Sequence, residues 1–76
     1  MTTDEVKALI EAGIDSSSAT VIDLTGTGDH FRAEVTSPAF EGKSLIEQHK
    51  MVYASVKEQM ADQRIHALSL KTTVAG

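Results

Sequence analysis

Three histidines, His30, His49 and His66, carry the coordination chemistry of this chain. Neutral imidazole binds transition metals and moves protons near physiological pH. Cysteine is absent, which removes disulfides, thiolate nucleophiles and cysteine-based zinc sites together. A metal held here takes nitrogen or oxygen ligands, or shares ligands with a partner. Other chemistry is thin. Asp4, Glu5, Glu11, Asp15 and Asp23 show no paired-carboxylate pattern that points to hydrolysis, and no Ser-His-Asp arrangement is legible. Gly42-Lys43-Ser44 has the tail of a phosphate-binding loop, but Ser37 stands where that loop needs its first glycine. Gly42 therefore reads as a turn glycine and Ser44 as a helix cap. A lone exposed histidine is ordinarily a surface residue, so spacing alone does not make His66 a ligand. His49 falls on an apolar helix face, where a buried imidazole satisfied by a hydrogen bond is the ordinary reading.

The elements that must position these residues follow from periodicity. Thr2 and Glu5 have capping-box spacing, and Val6, Leu9, Ile10 and Ile14 recur at helical intervals. A first helix is expected over 3–13, with Gly13 near its end. Asp15 to Ser18 is a polar connector. The β-branched run 20–24 reads as a strand with Ile22 and Leu24 on one face. Thr25-Gly26-Thr27-Gly28-Asp29 is rich in turn formers and closes a hairpin. On the return strand Phe31, Ala33 and Val35 face inward and His30, Arg32 and Glu34 outward. Pro38 ends it. A long helix starts at Ser44, with Glu47 completing a second capping box. Leu45, His49, Val52, Tyr53, Val56 and Met60 form its apolar stripe. Asp62-Gln63-Arg64 turns the chain into a third strand over 65–71.

The order helix, strand, strand, helix, strand is that of an α+β domain, with helices on one face of a three-stranded mixed sheet. Strand two, the long helix and strand three form a βαβ unit, whose strands, if paired, run parallel with a right-handed crossover. Parallel neighbours begin at the same sheet end. His30 opens one and His66 the other, so the topology brings two imidazoles distant in sequence to one rim.

At 76 residues the chain is expected to be one domain spanning 1–76, near the lower limit for a self-sufficient core. Such a chain encloses a large substrate cavity with difficulty, so a partner-binding module is favoured over an enzyme. The net charge of −4 argues against general nucleic-acid binding. No apolar run approaches a membrane span. The acidic start, Met1-Thr2-Thr3-Asp4-Glu5, lacks the core of a signal peptide and the arginines of a transit peptide. A cytoplasmic protein is the expectation.

The stretch from Phe40 to Thr72 is more specific. It opens with Phe40-x-Gly42-x-Ser44, carries His49 on its helix, and ends in a strand that begins Ile65-His66-Ala67-Leu68. These landmarks resemble the BolA family, in particular its IbaG-like branch. The loop Thr27-Gly28-Asp29-His30-Phe31 is similar to that of the histidine-loop subgroup.

The resemblance implies a KH-like fold of class II and a set of roles. His66 matches the family's ligand of a bridging [2Fe–2S] cluster, and His30 matches the loop ligand. Phe31, Gly42 and the long helix would shape the site. The cluster needs four external ligands, and imidazole replaces thiolate in some centres of this type. In the family the ligands that this chain lacks come from a monothiol CGFS-type glutaredoxin, through its cysteine and bound glutathione. The resemblance thus implies an iron–sulfur trafficking adaptor with a stress-response setting, not an enzyme. It would be a monomer alone, with no cofactor on the isolated chain. Two other classes stay open: a KH-like nucleic-acid-binding transcriptional regulator, and an interaction domain without metal. Lys43, Lys50, Lys57 and Arg64 recur every seven residues. The lysines are expected to line one side of the long helix, as a solvated face or as contacts to an acidic partner or nucleic-acid phosphates. The absence of a Gly-x-x-Gly loop between helices disfavours the regulator.

Overall fold

A computed structural model of the chain describes residues 1–75. Its elements are α1 (Thr3–Gly13), β1 (Ser18–Asp23), β2 (His30–Ser37), a 3-10 turn (Pro38–Phe40), α2 (Leu45–Ser55), α3 (Lys57–Ala61) and β3 (Ala67–Val74). The sheet order is β1-β2-β3. β1 and β2 are antiparallel, and β2 and β3 are parallel, with His30 opposite Ala67. This is the expected α+β architecture with a mixed sheet.

Local chemistry explains most boundaries. The Thr2 hydroxyl accepts from the Glu5 N–H, and the Glu5 carboxylate accepts from the Thr2 N–H. Ser44 and Glu47 make the same reciprocal pair at the start of α2. Pro38 has no N–H to continue the ladder, and the chain leaves β2 there. The Ser37 hydroxyl, fully buried, donates to the Asp15 carbonyl at 2.7 Å and accepts from the Ala39 N–H. Gly42 takes φ +76°, a left-handed conformation that costs a side-chain-bearing residue about 1–2 kcal/mol.

Phe31, Ala33 and Val35 alternate into the core as their spacing required, beneath Val6, Ile10 and Val52. Full burial of a side chain such as Phe31 contributes about 1.5–3 kcal/mol. Helices α1 and α2 pack on each other and on this sheet face.

Three expectations fail. The long helix breaks at Val56, whose φ of −122° and ψ of 22° are not helical. No proline or glycine causes this; Val56 is fully buried, and its N–H donates to Tyr53 O, so tertiary packing outweighs helix propensity. The apolar stripe is rotated: Leu45 and Tyr53 are exposed, whereas Gln48 is buried. Its amide donates to Lys43 O at 3.0 Å and accepts from the Thr72 hydroxyl at 2.6 Å, which satisfies a polar group inside. The shared face of Ile22 and Leu24 holds and is the outward one, with Ala19 buried instead; a period of two fixes alternation but not which face is inward. Ile65 and His66 precede β3 instead of opening it, and the strand runs on to Val74.

Candidate metal centre

The hairpin loop that delivers His30 is organised from within. Asp23 accepts from the Thr25 and Gly26 N–H groups through one carboxylate oxygen and from Gly28 N–H through the other. This is the Asx-type capping that favours aspartate in turns. Gly28 has φ +77°, and a Cβ there would stand 2.9 Å from the Met1 carbonyl. The Met1 amine donates to Gly28 O at 2.7 Å. The Leu24 N–H donates to His30 O at 2.8 Å, which closes the hairpin.

His66 arrives by the other route. After α3, Gln63 adopts φ 66° and turns the chain. Ile65 sinks into the core, leaving the next side chain exposed. The His66 and Ala67 N–H groups both donate to the Asp29 carbonyl, at 2.7 and 3.3 Å. The two histidines are therefore anchored through one backbone group at the shared start of the parallel strands.

Their rings meet. The centroids are 5.7 Å apart at 74°, an edge-to-face pair. Asp29 lies between them. One carboxylate oxygen is 2.8 Å from His30 Nδ1, and the other is 3.5 Å from His66 Nδ1. Hydrogen bonds from the Thr27 hydroxyl and then His30 hold the Asp29 carboxyl below the usual carboxylate range. An ionised carboxylate only accepts, so His30 Nδ1 is the donor in their hydrogen bond. Both imidazoles remain open, with 40% and 48% of their side-chain surface exposed. A metal can reach either ring.

The structure sorts the expected residues. His30 and His66 converge, and Phe31 is fully buried beside His30. Gly42 does not reach them: it follows the 3-10 turn past the opposite end of β2. His49 joins no ligating group. It is half-buried on α2, and its Nε2 has no hydrogen-bond partner among the described residues, so the expected satisfying bond is missing. Lys43, Lys50, Lys57 and Arg64 are all exposed, but they do not line one helix. Lys43 precedes α2, Lys57 follows the break, and Arg64 lies in the next turn, paired with Asp62 at 2.8 Å. Sequence reasoning passed over Asp29. The one available signal was an acidic residue directly before a candidate ligand in a turn.

No helix among the described residues is long and apolar enough to cross a membrane. Residues 7–75 match the family model described as BolA-like protein. The chain is 42% identical over 72 residues to Protein BOLA2 of Arabidopsis thaliana, covering 93% of this chain and 75% of that one. It is 30% identical over 71 residues to acid stress protein IbaG of Escherichia coli, covering 93% and 81%. A solved bolA homologue from Coxiella burnetii superimposes with a TM-score of 0.83 at 39% identity, covering 97% and 91%. On the match across nearly its whole length, and on the fold shared with a solved homologue, the chain belongs to the BolA family.

Proposed function

We propose that this chain is an adaptor in iron–sulfur cluster assembly and trafficking, sharing a [2Fe–2S] cluster with a monothiol CGFS-type glutaredoxin. The observation that carries the reading is the convergence of His30 and His66, both half-exposed, in a chain without cysteine. The donor set fits half of what the cluster needs: two imidazoles against four external ligands. The partner's cysteine and its bound glutathione supply the other half. His30 is oriented by Asp29, as metal-ligating histidines ordinarily are by a carboxylate behind the ring. An incomplete ligand set on an open rim suits hand-over of a cargo better than a resident redox centre. Neither ring is enclosed in a cleft that would isolate a substrate, so the role is binding and transfer, without enzymatic turnover. The name of the Escherichia coli relative, an acid stress protein, supports reading this role in a stress setting.

Purification with the glutaredoxin and glutathione tests the reading. A heterodimer with iron–sulfur charge-transfer bands is expected, together with a colourless isolated chain. A cluster that persists on the isolated chain without external thiol contradicts it.

A further inference from the structure

We propose that Asp29, His30 and His66 also form a site for a single divalent transition-metal ion, of the Zn²⁺ or Co²⁺ class, in the isolated chain. The inference rests on the same imidazoles as the adaptor reading, but it needs no partner and adds Asp29 as a ligand. It departs from the expectation that the isolated chain carries no cofactor.

The geometry points to it. One donor atom from each of the three side chains lies within 4.8 Å of the other two. Zinc–nitrogen and zinc–oxygen bonds of about 2.0–2.2 Å in a tetrahedral site imply donors roughly 3.3 Å apart. The Nδ1 atoms of His30 and His66 lie 2.8 and 3.5 Å from separate oxygens of the Asp29 carboxylate, and an ion bound among them takes the place of the proton that His30 shares with Asp29. Both rings are half-exposed, which leaves them room to rotate towards one ion. The backbone is already fixed: Asp29 O accepts from both His66 N and Ala67 N, and the hairpin closes at His30 O. Two imidazoles and one carboxylate suit zinc, cobalt, nickel and copper better than calcium or magnesium, which prefer all-oxygen shells. Three protein ligands leave a coordination position open, as in exchangeable zinc sites. The negative carboxylate also offsets the charge of the ion, which neutral imidazoles cannot.

Occupation by such an ion competes with the shared cluster for His30 and His66. The ion therefore acts as an antagonist of cargo loading, displaced when the glutaredoxin complex supplies stronger ligands.

The test titrates the full isolated chain with Co²⁺, followed by Zn²⁺ displacement. Visible d–d absorption saturating at one ion per chain and lost on adding Zn²⁺ is expected. Asp29→Asn keeps the shape of the side chain and weakens Co²⁺ binding at least about tenfold, the lower range for even an indirect partner of a metal. His66→Gln abolishes it. Far-UV circular dichroism checks the fold of each variant. Zn²⁺-induced shifts of the Asp29, His30 and His66 resonances in the unaltered chain locate the ion without any substitution. Absence of a Co²⁺ spectrum, shifts located elsewhere, or Asp29→Asn binding as tightly as the unaltered chain overturns the inference. The adaptor reading fails separately. A chain that takes up Co²⁺ at Asp29 while His30 and His66 substitutions leave the shared cluster untouched refutes the adaptor and keeps the ion site.

Discussion

The His66 N–H donates to the Asp29 carbonyl at 2.7 Å, so the residue before the last strand is tied to the residue before the second. The tie is backbone to backbone. Substituting either histidine leaves it in place, and ligand loss is separable from unfolding.

His66→Ala is accordingly expected to abolish or strongly weaken the glutaredoxin-shared cluster while the melting temperature stays close to that of the unaltered chain. His30→Ala makes the cluster labile, because its loop can admit water as a substitute ligand. His49→Ala does the reverse of His66→Ala. It costs stability, about 1–3 kcal/mol as for most partly buried substitutions, and leaves cluster spectra unchanged. Thermal melts and visible circular dichroism on the three variants separate these outcomes.

Gly13 sits where α1 meets α2, and a Cβ there would stand 2.6 Å from Ser55 Cβ. Gly13→Ala gains up to about 1 kcal/mol of helix propensity. The clash of two backbone-proximal atoms costs more, about 1–3 kcal/mol for an overpacked contact. A net loss in urea denaturation is expected, and Ser55→Gly restores it in the double variant. Additive losses would mean that the two residues do not touch in solution.

Gln63 holds φ 66° without being glycine. Gln63→Gly relieves roughly 1–2 kcal/mol of left-handed strain, against roughly 0.5–1 kcal/mol of added unfolded-chain freedom. A melting temperature a few degrees higher is the expected result, and a lower one would show that the side chain matters.

Acid stability has a defined sign. The Lys7 ammonium and then the Ala19 N–H hold Glu11 below the usual carboxylate range, and the Thr2 and Ser44 amides do the same for Glu5 and Glu47. Each folded-state value lies below the unfolded one. Their stabilisation is therefore fully present above the ordinary carboxylate range and is lost as pH falls through the depressed folded values. Melting temperatures should be level near neutrality and decline once pH drops below about 4.3. Glu11→Gln lowers the neutral plateau and flattens that decline.

Nucleic-acid binding by the metal-free chain is expected to be weak and salt-sensitive. Lys43 and Arg64 lie in separate turns flanking the two helices, Arg64 is paired with Asp62, and the net charge of −4 opposes association. Tight binding at physiological salt would restore the regulator reading. Fluorescence anisotropy across a salt series measures it.

Much of this architecture was legible in the residues. Both capping boxes, the inward set of β2 and the parallel crossover that brings His30 and His66 to one rim all follow from local spacing and chain handedness. What was illegible depends on long-range partners. Gln48 is inside because Thr72 on the last strand meets it, and no helix-local pattern reports that. Ile22 is outside because the covering helices meet the other face of β1. Val56 breaks the helix with no breaker residue nearby. Asp29 was missed for the same reason: its partner His66 becomes a neighbour only after the crossover closes.

That closure has a consequence for the life of the chain. Antiparallel β1 and β2 join through a tight hairpin, but β3 pairs with β2 only after the whole helical crossover has been traversed. Loop-closure entropy must be met before that pairing is rewarded. A chain emerging from the ribosome exposes His30 long before His66 exists beside it. The histidine pair is thus absent from nascent, truncated or half-folded molecules, and on the proposed adaptor role competence to take up cargo would certify that folding is complete.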